Sequence, residues 1–282
     1  MEKNEAISNQ SFLTVTDQFK SNIWSEEYGI PSDEFGRLLN EKNHLIEIRR
    51  GTNPIVIGCP HHTKNGVSYM FPGRPGDECV GLVTANIAIN LKCEAQIYSH
   101  ATDHDPNKDA RSPYFTKIFD DNPQVLVEIH GCGNKGINDI EISCGQDIYG
   151  DPQLFKEKFQ AALKKLTARL SKSQDNFDRS ISNEFKNLNI GAQLKPGSSQ
   201  GVRFPATHTQ SLITSMEKKI PAYHIELKPE FRKMRDTSRM ELTGRGKYIS
   251  EAIAATIAEM YKLHYQKDIK NTLTKTAQGL MG

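Results

Sequence analysis

PIVIGCPHH at residues 54–62, VLVEIHG at 125–131 and YHIELKPE at 223–230 share one layout, an apolar run that closes on histidines or acids. Short runs rich in Val and Ile, bounded by turn residues, read as buried strands. Between them lie segments with helical spacing. Val80, Val83, Ile87 and Leu91 recur on one face, as do Phe155, Phe159, Leu163, Leu166 and Leu170. Strands alternating with helices predict an α/β domain of three layers, α/β/α, around a mixed, mostly parallel sheet. In open sheets of this kind ligands bind beyond the carboxyl ends of the strands, so residues far apart in sequence converge there. The polar ends of these three stretches are therefore the place to look for chemistry.

Working outward, LIEIRR from Leu45 reads as a further strand, joined to the first stretch by the turn Gly51-Thr52-Asn53. NGVSYMFPGRPGDE (65–78) is a Gly/Pro-rich loop leading into the helix at Val80, with Asp77 placed to cap it. Ala95–Ser99 and Asp139–Ser143 add short strands, and ATDHDPNKD (101–109) is a polar loop. Helices are expected at 113–119, from Pro152, over 177–188, over 210–219 and over 246–264. GAQLKPGSSQGVRFPA (191–206) reads as a long loop. The expected division is a helical lead-in at 1–44 with a helix beginning at Pro31, one domain at 45–266, and a tail at 267–282.

Composition narrows the classes. Lys and Arg total 36 against 34 Asp and Glu, a net charge of +2, so nothing favours a nucleic-acid partner. No 18-residue apolar run is present, and the first residues lack an apolar signal core, so no membrane association is expected and a cytoplasmic location is. Cys59, Cys79, Cys93, Cys132 and Cys144 form no CxxC pair and read as reduced, buried small hydrophobes. Neither Gly-x-Gly-x-x-Gly nor a P-loop occurs, which argues against nucleotide binding.

Metal-dependent hydrolysis needs a few N/O ligands with an open position, and a carboxylate to take a proton from water. His61 or His62, Glu78 and His130 offer two histidines and one carboxylate, with Asp77 a rival to Glu78. Glu226 offers the base. Alternation sets it opposite Ile225 and Leu227, a position that suits a solvated sheet face as well as a catalytic one.

As an ordered set, Pro60-His61, Asp105-Pro106-Asn107-Lys108, Ile129-His130-Gly131 and Ile225-Glu226-Leu227 resemble the N-formylglutamate amidohydrolase family and, more distantly, the zinc carboxypeptidases. The resemblance spans roughly residues 54–232 in dispersed short motifs. It implies a phosphorylase/hydrolase-like α/β/α fold and Zn²⁺-dependent cleavage of an amide in a small carboxylate-bearing substrate such as an N-acyl amino acid. On that resemblance His61, Glu78 and His130 hold the metal, and Glu226 is the base. His62, Asp77 and Asp105 stand as neighbours or alternative ligands. Asn107 and Lys108 would orient the substrate carboxylate, and Arg203 would share oxyanion stabilisation. The chain departs from the family's Asp-x-Asn-Arg at Lys108, which keeps the charge but loses the planar fork of arginine. A peptidase or poly-γ-glutamate-type hydrolase, and a non-catalytic metal or small-ligand module, remain open alternatives. The sequence selects no oligomeric state.

Overall fold

The computed structural model of the chain describes residues 44–48, 53–63, 77–99, 105–120, 122–133, 138–236 and 241–279. The expected lead-in helix at Pro31 and most of the loop at 65–78 lie outside them.

The strands are β1 (His44–Ile48), β2 (Asn53–Thr63), β3 (Asp77–Glu78), β4 (Cys93–Ser99), β5 (Val125–Gly131), β6 (Ile140–Ser143), β7 (Ile190–Ala192) and β8 (Ala222–Leu227). They build one sheet in the order β1-β4-β2-β5-β8-β6-β7, with β3 paired to β2. β1 and β4 pair antiparallel, as do β6 and β8. All other pairs of this sheet are parallel, so the sheet is mixed and mostly parallel. A short ladder of β9 (Met234–Asp236) and β10 (Glu241–Leu242) stands apart.

The helices are α1 (Val80–Leu91), α2 (Pro113–Asp120), α3 (Pro152–Leu170), α4 (Asn176–Phe185), α5 (Gln210–Glu217) and α6 (Gly244–Gly279). Helix α3 starts as its sequence demands: Pro152 fits the first turn, and the Asp151 carboxylate accepts from Leu154 N–H at 2.9 Å. Helix α6 runs on past residue 266, where a separate tail was expected. No helix among the described residues is long and apolar enough to cross a membrane. All five cysteines are buried, and none forms a disulfide.

Strand alternation divides the core. Ile55, Ile57, Val125, Val127, Ile129, Ile142, Ile225 and Leu227 point into the main core with residues of α1, α3, α4 and α6. Val56, Leu126 and Ala222 point the other way, against Tyr114 and Ile118 of α2 and Leu212 of α5. That second apolar cluster takes the amino-terminal positions of β5 and β8. Farther along the same face the strands carry Glu128, His130, His224 and Glu226, all buried. The carboxyl ends are tied by Arg232. Its guanidinium donates to the carbonyls of Glu78 (2.7 Å), Cys132 (3.1 Å) and Leu227 (3.2 Å), which belong to or follow β3, β5 and β8.

Candidate metal centre

The polar face is a small lattice. Strands β5 and β8 run parallel with Glu128 beside His224 and His130 beside Glu226. In-register partners of a parallel pair share a face, so an acid and a histidine alternate along each strand and across the pair. The His130 and His224 rings lie 4.1 Å apart, centre to centre. His224 Nε2 is 3.5 Å from Glu226 Oε1.

A break in the β2 ladder brings in the third strand. The register with β4 shifts between Cys59 and His62, and such an irregularity re-aims side chains. His62 turns beneath α1, where its Nδ1 accepts from Gly81 N–H at 3.1 Å. It takes over the capping place that the sequence suggested for Asp77, since Cys79 precedes the helix with φ 59° and no side-chain cap. Gly81 permits this approach: a Cβ there would lie 2.9 Å from His62 Cγ. His61 goes to the polar face, its ring 5.1 Å from that of His130.

Asp77, on the two-residue strand β3, meets both rings. Its Oδ2 is 3.6 Å from His61 Nδ1 and 3.4 Å from His130 Nδ1, and it has no hydrogen-bond partner among the described residues. Together the three residues offer ligand atoms within 4.8 Å of one another. A tetrahedral ion with bonds near 2.0–2.1 Å keeps its ligand atoms about 3.3–3.4 Å apart, so the observed separations suit metal ligation better than hydrogen bonding. Behind His61, Asp105 Oδ1 lies 2.8 Å from Nε2. A carboxylate only accepts, so Nε2 carries the hydrogen, and Nδ1 is left to face Asp77.

The electrostatics agree. Burial alone would pull His61 down, but Asp105 and Asp77 outweigh it and raise its pKa. Burial also opposes charge on His130, yet Asp77 and Glu128 lift it to about 10. Asp77 would be raised by burial; instead His130 and His61 hold it well below the carboxylate range. This is a site arranged around positive charge, whether a proton or a metal ion. Glu226 is pushed up to about 7 by burial, partly offset by His130.

The other expected residues fall into two groups. The sequence favoured Glu78 as the acidic ligand; among the described residues it is Asp77, not Glu78, that meets both histidines. Lys108 donates to Asp105 Oδ2 at 2.9 Å, extending the line from His61 outward. Asn107 is buried, and its main-chain carbonyl accepts from Gln210 N–H at 2.8 Å, fixing the loop to the start of α5. Arg203 is exposed and lies over the Phe204 ring, 5.6 Å from its centre. Its backbone is anchored: Glu141 Oε2 accepts from the N–H groups of Arg203 (2.8 Å) and Phe204 (3.0 Å).

Structural neighbours include an N-formylglutamate amidohydrolase. That protein, from Ralstonia eutropha, is 10% identical, with 77% of this chain and 97% of the neighbour aligned at a TM-score of 0.43. A bacteriophage poly-γ-glutamate hydrolase is 12% identical over 78% of this chain and 90% of its own, TM-score 0.43. A metallo-carboxypeptidase from Pseudomonas aeruginosa is 14% identical over 78% of this chain and 61% of its own, TM-score 0.41. No protein-family model and no curated protein matches the sequence.

Sequence reasoning passed over Glu128 and His224. The signal was present as Glu128-x-His130 and His224-x-Glu226, two polar pairs at a spacing of two within apolar strands. That spacing puts both members of each pair on one face.

Proposed function

We propose that the chain is a zinc-dependent hydrolase of amide bonds. One observation carries the reading: a buried Asp77 Oδ2, with no hydrogen-bond partner among the described residues, stands 3.4 and 3.6 Å from the Nδ1 atoms of two histidines, one of them braced by Asp105. His61 Nδ1, Asp77 Oδ2 and His130 Nδ1 would hold the ion. This N/N/O set is the kind that leaves zinc an open position. The ion would supply Lewis acidity, acidifying water and polarising a carbonyl.

The chain's own part is proton handling. Glu226 lies beside His130 on the polar face, opposite Ile225 and Leu227. A carboxylate pushed up to about 7 is poised to accept a proton from attacking water and to return it to the leaving nitrogen. Lys108 is the proposed contact for a substrate carboxylate. An ammonium has three donors, Asp105 engages one, and the side chain is exposed. Asn107 fixes the direction of that loop.

The test pairs zinc analysis with a panel of N-acyl amino acids and short peptides. Glu226→Gln should retain zinc and lower turnover by about 10²-fold or more. Full turnover in that variant would remove Glu226 as the base. Zinc that binds without any amide turning over would favour the binding-module reading.

A further inference from the structure

Glu128 is a carboxylate of the polar face that the reading above leaves without a task. It is wholly inaccessible to solvent. Its Oε1 accepts from Tyr114 O–H at 2.8 Å and from Ser211 O–H at 2.7 Å. Its Oε2 has no hydrogen-bond partner among the described residues and faces His130 Nε2, likewise unpartnered, at 4.0 Å. Two opposed orphan groups in a dry interior are costly unless they engage each other in the working state.

We propose that Glu128 positions His130 for metal binding by accepting a hydrogen bond from Nε2–H, which leaves Nδ1 free to face the ion. This rests on the metal reading above. A histidine ligand needs one nitrogen protonated and the other bare, and a carboxylate behind the ring selects which. Asp105 already does this for His61 at 2.8 Å. The Glu128–His130 gap closes to a charge-assisted bond of 2.7–2.9 Å with about 1 Å of movement. The two hydroxyls engage the far oxygen only, so the near one stays available. Gly58 makes room for the Tyr114 hydroxyl, which a Cβ there would overlap. Tyr114 belongs to α2 and Ser211 to α5, so both helices on this face hold the carboxylate in place.

A purely structural Glu128 would serve only as the anchor for those hydroxyls. Glu128→Gln separates the two roles. Glutamine keeps an acceptor for Tyr114 and Ser211 but presents an NH₂ group to His130, donor against donor. Zinc affinity, measured by competition with a chromogenic chelator, should fall 10- to 100-fold in Glu128→Gln, a loss that a mere anchor for the two hydroxyls would not show. Equal affinity in variant and wild type overturns the positioning role. Should the variant not fold, ¹⁵N histidine NMR of the zinc-loaded wild type decides. A hydrogen-bonded proton on His130 Nε2 supports the proposal, and a proton on Nδ1 overturns it. Wild-type protein that binds zinc no better than Asp77→Asn removes the metal reading itself, and this role with it.

Discussion

At residue scale, two neighbouring carboxylates are told apart by which of them meets the histidines. Asp77 faces His61 and His130; Glu78 contributes its carbonyl to Arg232. At the proposed zinc site Asp77→Asn preserves size but would replace an anionic ligand with a weak neutral one, so purified protein should lose most of its zinc, whereas Glu78→Gln should keep it. Metal analysis of the two variants side by side checks this, and the reverse pattern would reinstate Glu78. Asp105→Asn tests the brace behind His61. An amide can still accept from Nε2–H through its oxygen, but it lacks the charge that strengthens the bond. Zinc affinity should fall, within the 10- to 100-fold typical of removing such a partner.

At the scale of the element, one irregularity in β2 distributes two adjacent histidines to different tasks. His61 enters the polar face and His62 caps α1 through Gly81 N–H. The pattern PIVIGCPHH announces the strand through its β-branched run, yet nothing in it marks the break, because the register shift is set by pairing with β4. The same limit left Asp77 a rival to Glu78. A strand of two residues has no period, so nothing in Asp77-Glu78 itself says which carboxylate meets the histidines. By contrast, β5, β8 and α3 were legible because their own side chains carry the period of two or the apolar stripe. Glu226 was legible through Ile225 and Leu227, while His224, two residues before it, passed as part of the strand. Gly81→Ala probes the element directly. Its Cβ would meet His62 Cγ and Ile97 Cγ2, each at 2.9 Å. Overpacking of this kind costs about 1–3 kcal/mol, more than alanine's helix propensity returns. Thermal unfolding should shift downward, and an unchanged or higher melting temperature would show that the cap yields without cost.

Across the whole molecule, the site couples to stability through the charge it is built to hold. In the metal-free protein burial disfavours protonated His130, but Asp77 and Glu128 raise it from 6.5 to about 10. A folded pKa above the unfolded one stabilises fully below the unfolded value, and that contribution is lost as pH rises through the folded value. The window is therefore about 6.5 to 10. Glu226, raised from 4.5 to about 7 by burial, acts in the same direction, because the fold favours its neutral form and loses stability as pH rises between those values. Metal-free protein should accordingly weaken steadily from mildly acidic to alkaline pH. Zinc at the proposed site should reverse the trend, since it requires histidines without the proton on the ligating nitrogen and would bind better as pH rises. Binding to the folded state alone stabilises by about 4 kcal/mol at a thousand times the dissociation constant. The rise in melting temperature on adding zinc should thus be larger at pH 8.5 than at pH 6, and nearly absent at both in Asp77→Asn. Calorimetry at matched free zinc reads this directly. A shift that is equal at the two pH values, or larger at pH 6, would mean that the stabilising ion is not held by these histidines.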